Sequence, residues 1–216
     1  AGRSNKSIRP PTALSPATII TTTHQSPNSS KNENSIHSTG NNSNHNTINT
    51  STISSGNEQY IYRDTIQRQD ILNQCFRHTS AYGFQKTGIL EAATLAAARG
   101  DTFRILEIGC GSGAATFDLA TILPDATITA VDTDPDLLAT AQQRLLEASS
   151  PSSIEQNQMG ERISFLELQG EQVGTKFPNY FDVVWIRFVV IHVPDPVSLL
   201  SSALQSLVSG GTLLVE

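Results

Sequence analysis

Leu106-Glu107-Ile108-Gly109-Cys110-Gly111-Ser112-Gly113-Ala114 is the stretch on which the fold turns. Arg104 to Ile108 is short, branched and apolar, the pattern of a strand buried on both faces. Three alternating glycines then let the backbone turn sharply. A helix follows over about 114–123 and is halted by Pro124. Working outward, the same alternation repeats. Strands are predicted at 127–131, 163–166, 181–186 and 212–215, and helices at 64–77, 89–98, 135–148 and 196–208. Pro135 suits the first position of its helix, behind Asp134 as a possible N-cap. Gly210-Gly211 is read as the stop of the helix that begins at Pro196. Residues 149–160 are polar and read as a loop insertion. Apolar strands alternating with helices define an α/β domain: a parallel sheet covered by helices on both faces.

Sheets of this kind take ligands beyond the carboxyl ends of their strands. Gly109, Gly111 and Gly113 keep side chains out of that space. Asp132 ends the second core strand, 19 residues past Gly113, where an acid can accept hydrogen bonds from ribose hydroxyls. A nucleoside-bearing cofactor is therefore the natural ligand. Gly109-x-Gly111-x-x-Ala114 fits the relaxed dinucleotide fingerprint, so the glycines alone leave NAD open. Gly113, which makes the spacing G-x-G-x-G, and Glu107, a carboxylate two residues before the first glycine, push away from NAD.

Composition divides the chain. Residues 1–57 hold 31 Ser, Thr and Asn, no aromatic residue, and a net charge of +3, leaving −9 on residues 58–216. Such a tail has too little apolar surface to offset the entropy of ordering it, and is predicted to be disordered. Within it, Ala17-Thr18-Ile19-Ile20 through Thr23 reads as a short, sticky extended patch and nothing more. The start lacks the charged region and apolar core of a secretory signal, so a cytoplasmic protein is expected, with a hydroxylated, acid-poor organelle transit peptide as the alternative; Ala1 in place of Met suggests a fragment. No apolar run is long enough to span a membrane. Two cysteines, Cys75 and Cys110, do not make a disulfide framework or a Cys-rich zinc site, and no metal is expected. The acidic ordered part argues against a nucleic-acid partner.

Taken together, several segments carry a family resemblance. Leu106–Ala114 resembles motif I of the class I S-adenosylmethionine-dependent methyltransferases, with their Rossmann-like sheet. Val131-Asp132-Thr133-Asp134-Pro135-Asp136-Leu137-Leu138 resembles the second-strand segment that follows it. Phe181-Asp182-Val183-Val184 and Arg187–Pro196 are similar to the fourth strand and its exit in small-molecule-type members, and Gly210–Glu216 to the fifth. The resemblance covers about 104–216. It implies S-adenosylmethionine as cofactor, Gly109, Gly111 and Gly113 along its methionine end, Glu107 at its amino group and Asp132 at its ribose. An acid after the third strand lies by the adenine amino group in the family, often within Gly-Asp-Ala; here Gly170-Glu171-Gln172 makes Glu171 the candidate. The family's sheet, in order 3-2-1-4-5-7-6, implies two further strands after Glu216, so an incomplete acceptor side is expected of residues 58–216.

The resemblance also implies transfer of a methyl group to a small-molecule or lipid-like acceptor by in-line displacement, a reaction with no obligatory catalytic residue. The Asn-Pro-Pro-Tyr and Pro-Cys motifs of nucleic-acid methylation are absent. His192, at the exit of the fourth strand, is the candidate base, with a hydrogen bond to its own loop as the alternative. Arg187 either pairs with a local acid or meets the cofactor's surroundings. Tyr60 and Tyr62 are candidates to cover the cofactor, against simple packing of the first helix. Cys110 reads as a small buried side chain. Two other functions stay open: an NAD-dependent oxidoreductase, and a catalytically silent relative that only binds cofactor.

Overall fold

The computed structural model describes residues 18–21, 66–149 and 159–216. Tyr60, Tyr62 and most of the Ser/Thr/Asn-rich tail lie outside the described residues, as does most of the loop insertion. The described elements are β1 (Thr18–Thr21), α1 (Ile66–Lys86), α2 (Ile89–Ala98), β2 (Phe103–Ile108), α3 (Ala114–Ile122), β3 (Ala126–Asp132), α4 (Pro135–Ala148), β4 (Ile163–Glu167), β5 (Phe181–Ile186), α5 (Pro196–Ser206) and β6 (Leu207–Val215). Short helical turns at Gly170–Gln172 and Val173–Lys176 join β4 to β5.

All six strands are parallel, in the order β1-β6-β5-β2-β3-β4. The chain winds from β2 outward through β3 and β4, then returns to build β5 and β6 on β2's other side. The crevice where the order reverses therefore lies at the carboxyl ends of β2 and β5, between Ile108 and Ile186. Helices cover both faces. Ile105, Val183, Trp185 and Leu214 pack with Phe84, Ile89 and Leu119 of α1, α2 and α3, and Phe84 meets Trp185 edge-on at 5.2 Å. Leu106, Ile108, Val184, Ile186 and Leu213 pack on the other side with Val173, Leu199 and Ala203. Burial on both faces is why these strands read as largely apolar runs and not as alternating ones.

Three elements differ from the sequence expectation. Thr18–Thr21, within the tail expected to be disordered, is a strand paired with Thr212–Val215 at the sheet edge; four consecutive Thr and Ile residues are strong strand formers wherever an unpaired edge is within reach. α1 runs to Lys86, nine residues beyond its expected end. Its second half, His78-Thr79-Ser80-Ala81-Tyr82-Gly83, is poor in helix formers, but small Ser80 and Gly83 are buried with Phe84, so tertiary packing overrides propensity. Finally, α5 stops at Ser206 and β6 starts at once. Gly210-Gly211 is not a helix stop. It belongs to an irregularity in β6, where pairing jumps from Phe181–Leu207 to Val183–Thr212, with Gly210 at φ 79°.

The start of α4 is as expected. The Asp134 side chain accepts from the Asp136 and Leu137 N–H groups at 3.0 and 3.2 Å, with Pro135 in the first turn. Asp134→Ala should therefore cost about 0.5–2 kcal/mol of stability, read as a lower urea midpoint at unchanged slope. An unchanged midpoint would show that the cap contributes nothing.

Candidate cofactor site

The glycine loop leaves β2 and enters α3, and its three glycines are required for three different reasons. A Cβ on Gly109 would collide with Val189, which follows β5. At Gly111, φ is 53° and a Cβ would meet the Gln69 carboxamide at 2.8–2.9 Å. A Cβ on Gly113 would press on Ala141 and Phe165 at 3.0 and 3.1 Å, so that glycine serves the packing of α3 against α4 and β4. The loop is closed in by the protein itself: Gly111 and Gly113 are buried, and Ser112 is 1% exposed.

Glu107 is the one charged residue in β2's buried run. It shares the sheet face of Ile105 and is 3% exposed. The Thr116 hydroxyl of α3 donates to its Oε2 at 2.6 Å. Burial raises its pKa from 4.5 to about 7, against the lowering effects of the Thr116 hydrogen bond and of Arg187. A carboxylate this desolvated favours a cationic partner.

Asp132, at the end of β3, is half-buried. It accepts from three backbone N–H groups: Gly111 at 2.7 Å, Thr133 at 2.8 Å and Asp134 at 3.0 Å. It therefore braces the glycine loop as well as facing the strand ends. Glu171 is half-buried in the turn after β4, next to Gly170, which packs on Ile108 and Leu199. The fold thus places Glu107, the glycines, Asp132 and Glu171 at one end of the sheet.

Arg187 follows β5 on the same face as Glu107. Its guanidinium donates to Asn73 Oδ1 at 2.7 Å and to Ser80 Oγ at 3.4 Å, and lies over the Trp185 and Phe188 rings at 5.1 and 5.5 Å. Asn73 in turn donates to Asp118 at 2.8 Å and to the Ala114 carbonyl at 3.1 Å. Desolvation lowers the Arg187 pKa, opposed by Glu107, Glu216 and Asp118. Phe188 holds φ at 57°, a left-handed conformation that bulky side chains rarely take, fixed by its N–H bond to the Glu216 carbonyl and by Phe76 edge-on at 5.0 Å. His192 is exposed in the turn that begins at Val189, to whose carbonyl its N–H donates at 2.8 Å. Cys110 is buried; its thiol pKa is pushed up by burial and by Glu107 and Asp132, so it is an inert packing residue.

Gln69, Asp70, Asn73 and Ser80 of α1, and Arg144 of α4, escaped the sequence reading. Asn73, Ser80, Gly83 and Phe84 do lie on one helical face, but three of the four are not apolar, so hydrophobic periodicity does not register it. Two shallow cavities of about 330 and 320 Å³, lined among others by Gly88, Arg99 and Asp182 and by Arg104, Thr127 and Arg162, open at the amino ends of the strands. That is the wrong end of such a sheet for the cofactor. Among the described residues no group of three His, Cys, Asp or Glu side chains could hold a metal ion, and no helix is long and apolar enough to cross a membrane.

A parallel sheet carrying this loop, this buried acid and this strand-end aspartate defines a nucleoside-cofactor domain. Residues 106–213 match the methyltransferase-domain family, and the chain belongs to the class I S-adenosylmethionine-dependent methyltransferases. Family membership resolves the choice that the glycines left open, in favour of S-adenosylmethionine over NAD. The chain is 29% identical over 107 residues to the ubiquinone biosynthesis O-methyltransferase of Nitrosomonas europaea, spanning 50% of this chain and 40% of that protein. It is 35% identical over 117 residues to methyltransferase str3 of Strobilurus tenacellus, spanning 54% and 36%. The chain thus spans about two fifths of the length of these curated relatives. The solved StiE O-MT, residues 961–1257, superposes with a TM-score of 0.51 at 18% identity, covering 70% of this chain and 47% of that one, a likeness of fold.

Proposed function

We propose that this domain binds S-adenosylmethionine at the β2–β5 crevice and passes its methyl group to a hydroxyl of a small-molecule acceptor. The observation that carries this reading is Glu107. A fully buried carboxylate with its pKa raised to about 7 suits a ligand bearing an ammonium and a sulfonium. Glu107 would hold the amino group, Gly109, Gly111 and Gly113 would line the methionine end, Asp132 would accept from the ribose hydroxyls, and Glu171 would approach the adenine amino group. The names of the relatives, which include O-methyltransferases, support oxygen as the acceptor atom.

When bound, S-adenosylmethionine supplies an electrophilic methyl group on sulfur whose leaving group is a neutral thioether. The protein's own work is alignment and exclusion of water. Val189 and the buried glycine loop wall the crevice. An acceptor hydroxyl has to lose its proton, and the His192 imidazole, exposed at the exit of β5, is the group we assign to take it on a ring nitrogen.

Isothermal titration with S-adenosylmethionine, S-adenosylhomocysteine and NAD tests the reading. Binding of the first two and not the third is expected. Tight NAD binding without a signal for S-adenosylhomocysteine would overturn it.

A further inference from the structure

Every backbone N–H from Gly109 to Gly113 is already taken. Gly109 and Cys110 donate to the Val131 carbonyl of β3 at 2.8 and 3.1 Å, tying the loop to the neighbouring strand, and Gly113 donates to the Cys110 carbonyl at 3.0 Å within the turn itself. Gly111 donates to Asp132 at 2.7 Å. Ser112 alone donates to a distant helix: its N–H meets Gln69 Oε1 of α1 at 3.0 Å. The same carboxamide fills the space in front of Gly111. Next to it, Asp70 makes a two-pronged ion pair with Arg144 of α4 at 2.8 and 2.9 Å, and Arg144 also donates to the Ser112 carbonyl and hydroxyl at 3.3 Å. The opening turns of α1 are therefore fastened over the loop by one charged pair and one carboxamide.

We propose that Gln69 is a resident stand-in for the carboxylate of the bound ligand. This rests on the cofactor reading above. Successive backbone N–H groups of such a loop form an anion-binding concavity suited to the carboxylate of the cofactor's amino-acid end. Gly111 N–H is held by an anion that the ribose also needs, so Ser112 N–H is the donor that can be released. In the free protein Gln69 Oε1 satisfies it, which keeps a buried N–H from being orphaned. Binding exchanges that amide oxygen for a carboxylate oxygen, and Gln69 swings aside. Gln69 is thus a competitor built into the site, and it sets affinity without touching the reacting atoms.

The test uses the wild type with Gln69→Ala and Gln69→Glu, titrated with S-adenosylhomocysteine, while hydrogen exchange of the Ser112 amide is followed in the ligand-free proteins. Alanine removes the competitor. Affinity should rise about three- to tenfold, the net worth of one neutral hydrogen bond, and the Ser112 amide should exchange faster. Glutamate keeps the acceptor and adds a charge, so Ser112 exchange should slow and affinity should fall. The Asp70–Arg144 pair stays in both variants to hold α1, and unchanged circular dichroism confirms it. Unchanged or weaker binding by Gln69→Ala overturns the stand-in alone, as does Ser112 exchange that ignores residue 69. Failure of the wild type and both variants to bind overturns the cofactor reading, and the stand-in with it.

Discussion

Glu107→Gln should make the ligand-free protein more stable at pH 8 by up to roughly 3 kcal/mol, and at the same time weaken cofactor binding about ten- to a hundredfold. The stability gain follows from linkage. The folded pKa is about 7 against 4.5 for the free side chain. Between those values the folded state keeps a proton that the unfolded state has released, so stability falls as pH rises through the window. Below pH 4.5 both states are protonated and no penalty exists; above 7 it is complete, at about 1.4 kcal/mol for each unit between the two values. Glutamine has nearly the same shape and no charge to bury. The difference between variant and wild type should therefore be near zero at pH 4 and full at pH 8, measured by urea denaturation across that range. A difference that does not vary with pH would mean that the carboxylate is not strained by burial. The binding loss has the opposite origin: a charge-assisted bond worth about 1.5–3 kcal/mol disappears with the carboxylate. Wild-type affinity for a cationic ligand should also strengthen as pH rises through about 7, where Glu107 releases its proton.

Asp132→Ala is expected to hurt twice. The side chain accepts from Gly111, Thr133 and Asp134 N–H groups, and Gly111 is buried. Removing it strands a donor whose bond to a charged acceptor is worth about 1.5–3 kcal/mol, so the urea midpoint should fall by more than for Asp134→Ala. If the carboxylate also accepts from ribose hydroxyls, S-adenosylhomocysteine affinity should fall at least about tenfold, since each such bond carries a similar worth. Asp134→Ala should leave affinity nearly intact. Binding by Asp132→Ala equal to wild type would leave Asp132 with its bracing role only.

Much of the scaffold is legible in the sequence because each local signal has one meaning. Phe181–Ile186, Ile89–Ala98 and Pro135–Ala148 fall where their apolar pattern, alanine content and cap chemistry put them. Leu106 to Ala114 and Asp132 pointed to the carboxyl end of the sheet, where the structure places them, because glycine and acid at those places answer to backbone geometry. What escaped were contacts between elements. Gln69, Asn73 and Ser80 are polar residues turned toward polar partners, and nothing in an isolated helix distinguishes them from a solvated face. Gly210-Gly211 carries the same letters in a helix stop and in a bulge; only the pairing with β5 separates the two. The Thr18–Thr21 strand depends on an edge supplied by residues near the other end of the chain.

The three separate reasons for the three loop glycines also set how this sequence can drift. Gly109 is tied to the bulk of Val189, Gly111 to the length of Gln69, and Gly113 to Ala141 and Phe165. A side chain at 109 becomes tolerable only if Val189 shrinks, one at 111 only if the Gln69 carboxamide vacates its space, and at all three positions the left-handed backbone adds roughly 1–2 kcal/mol. Substitution in the loop is therefore coupled to residues in α1, after β5, in β4 and in α4. The glycines alone do not describe the loop's constraints, because the partners at 69 and 189 set what can replace them.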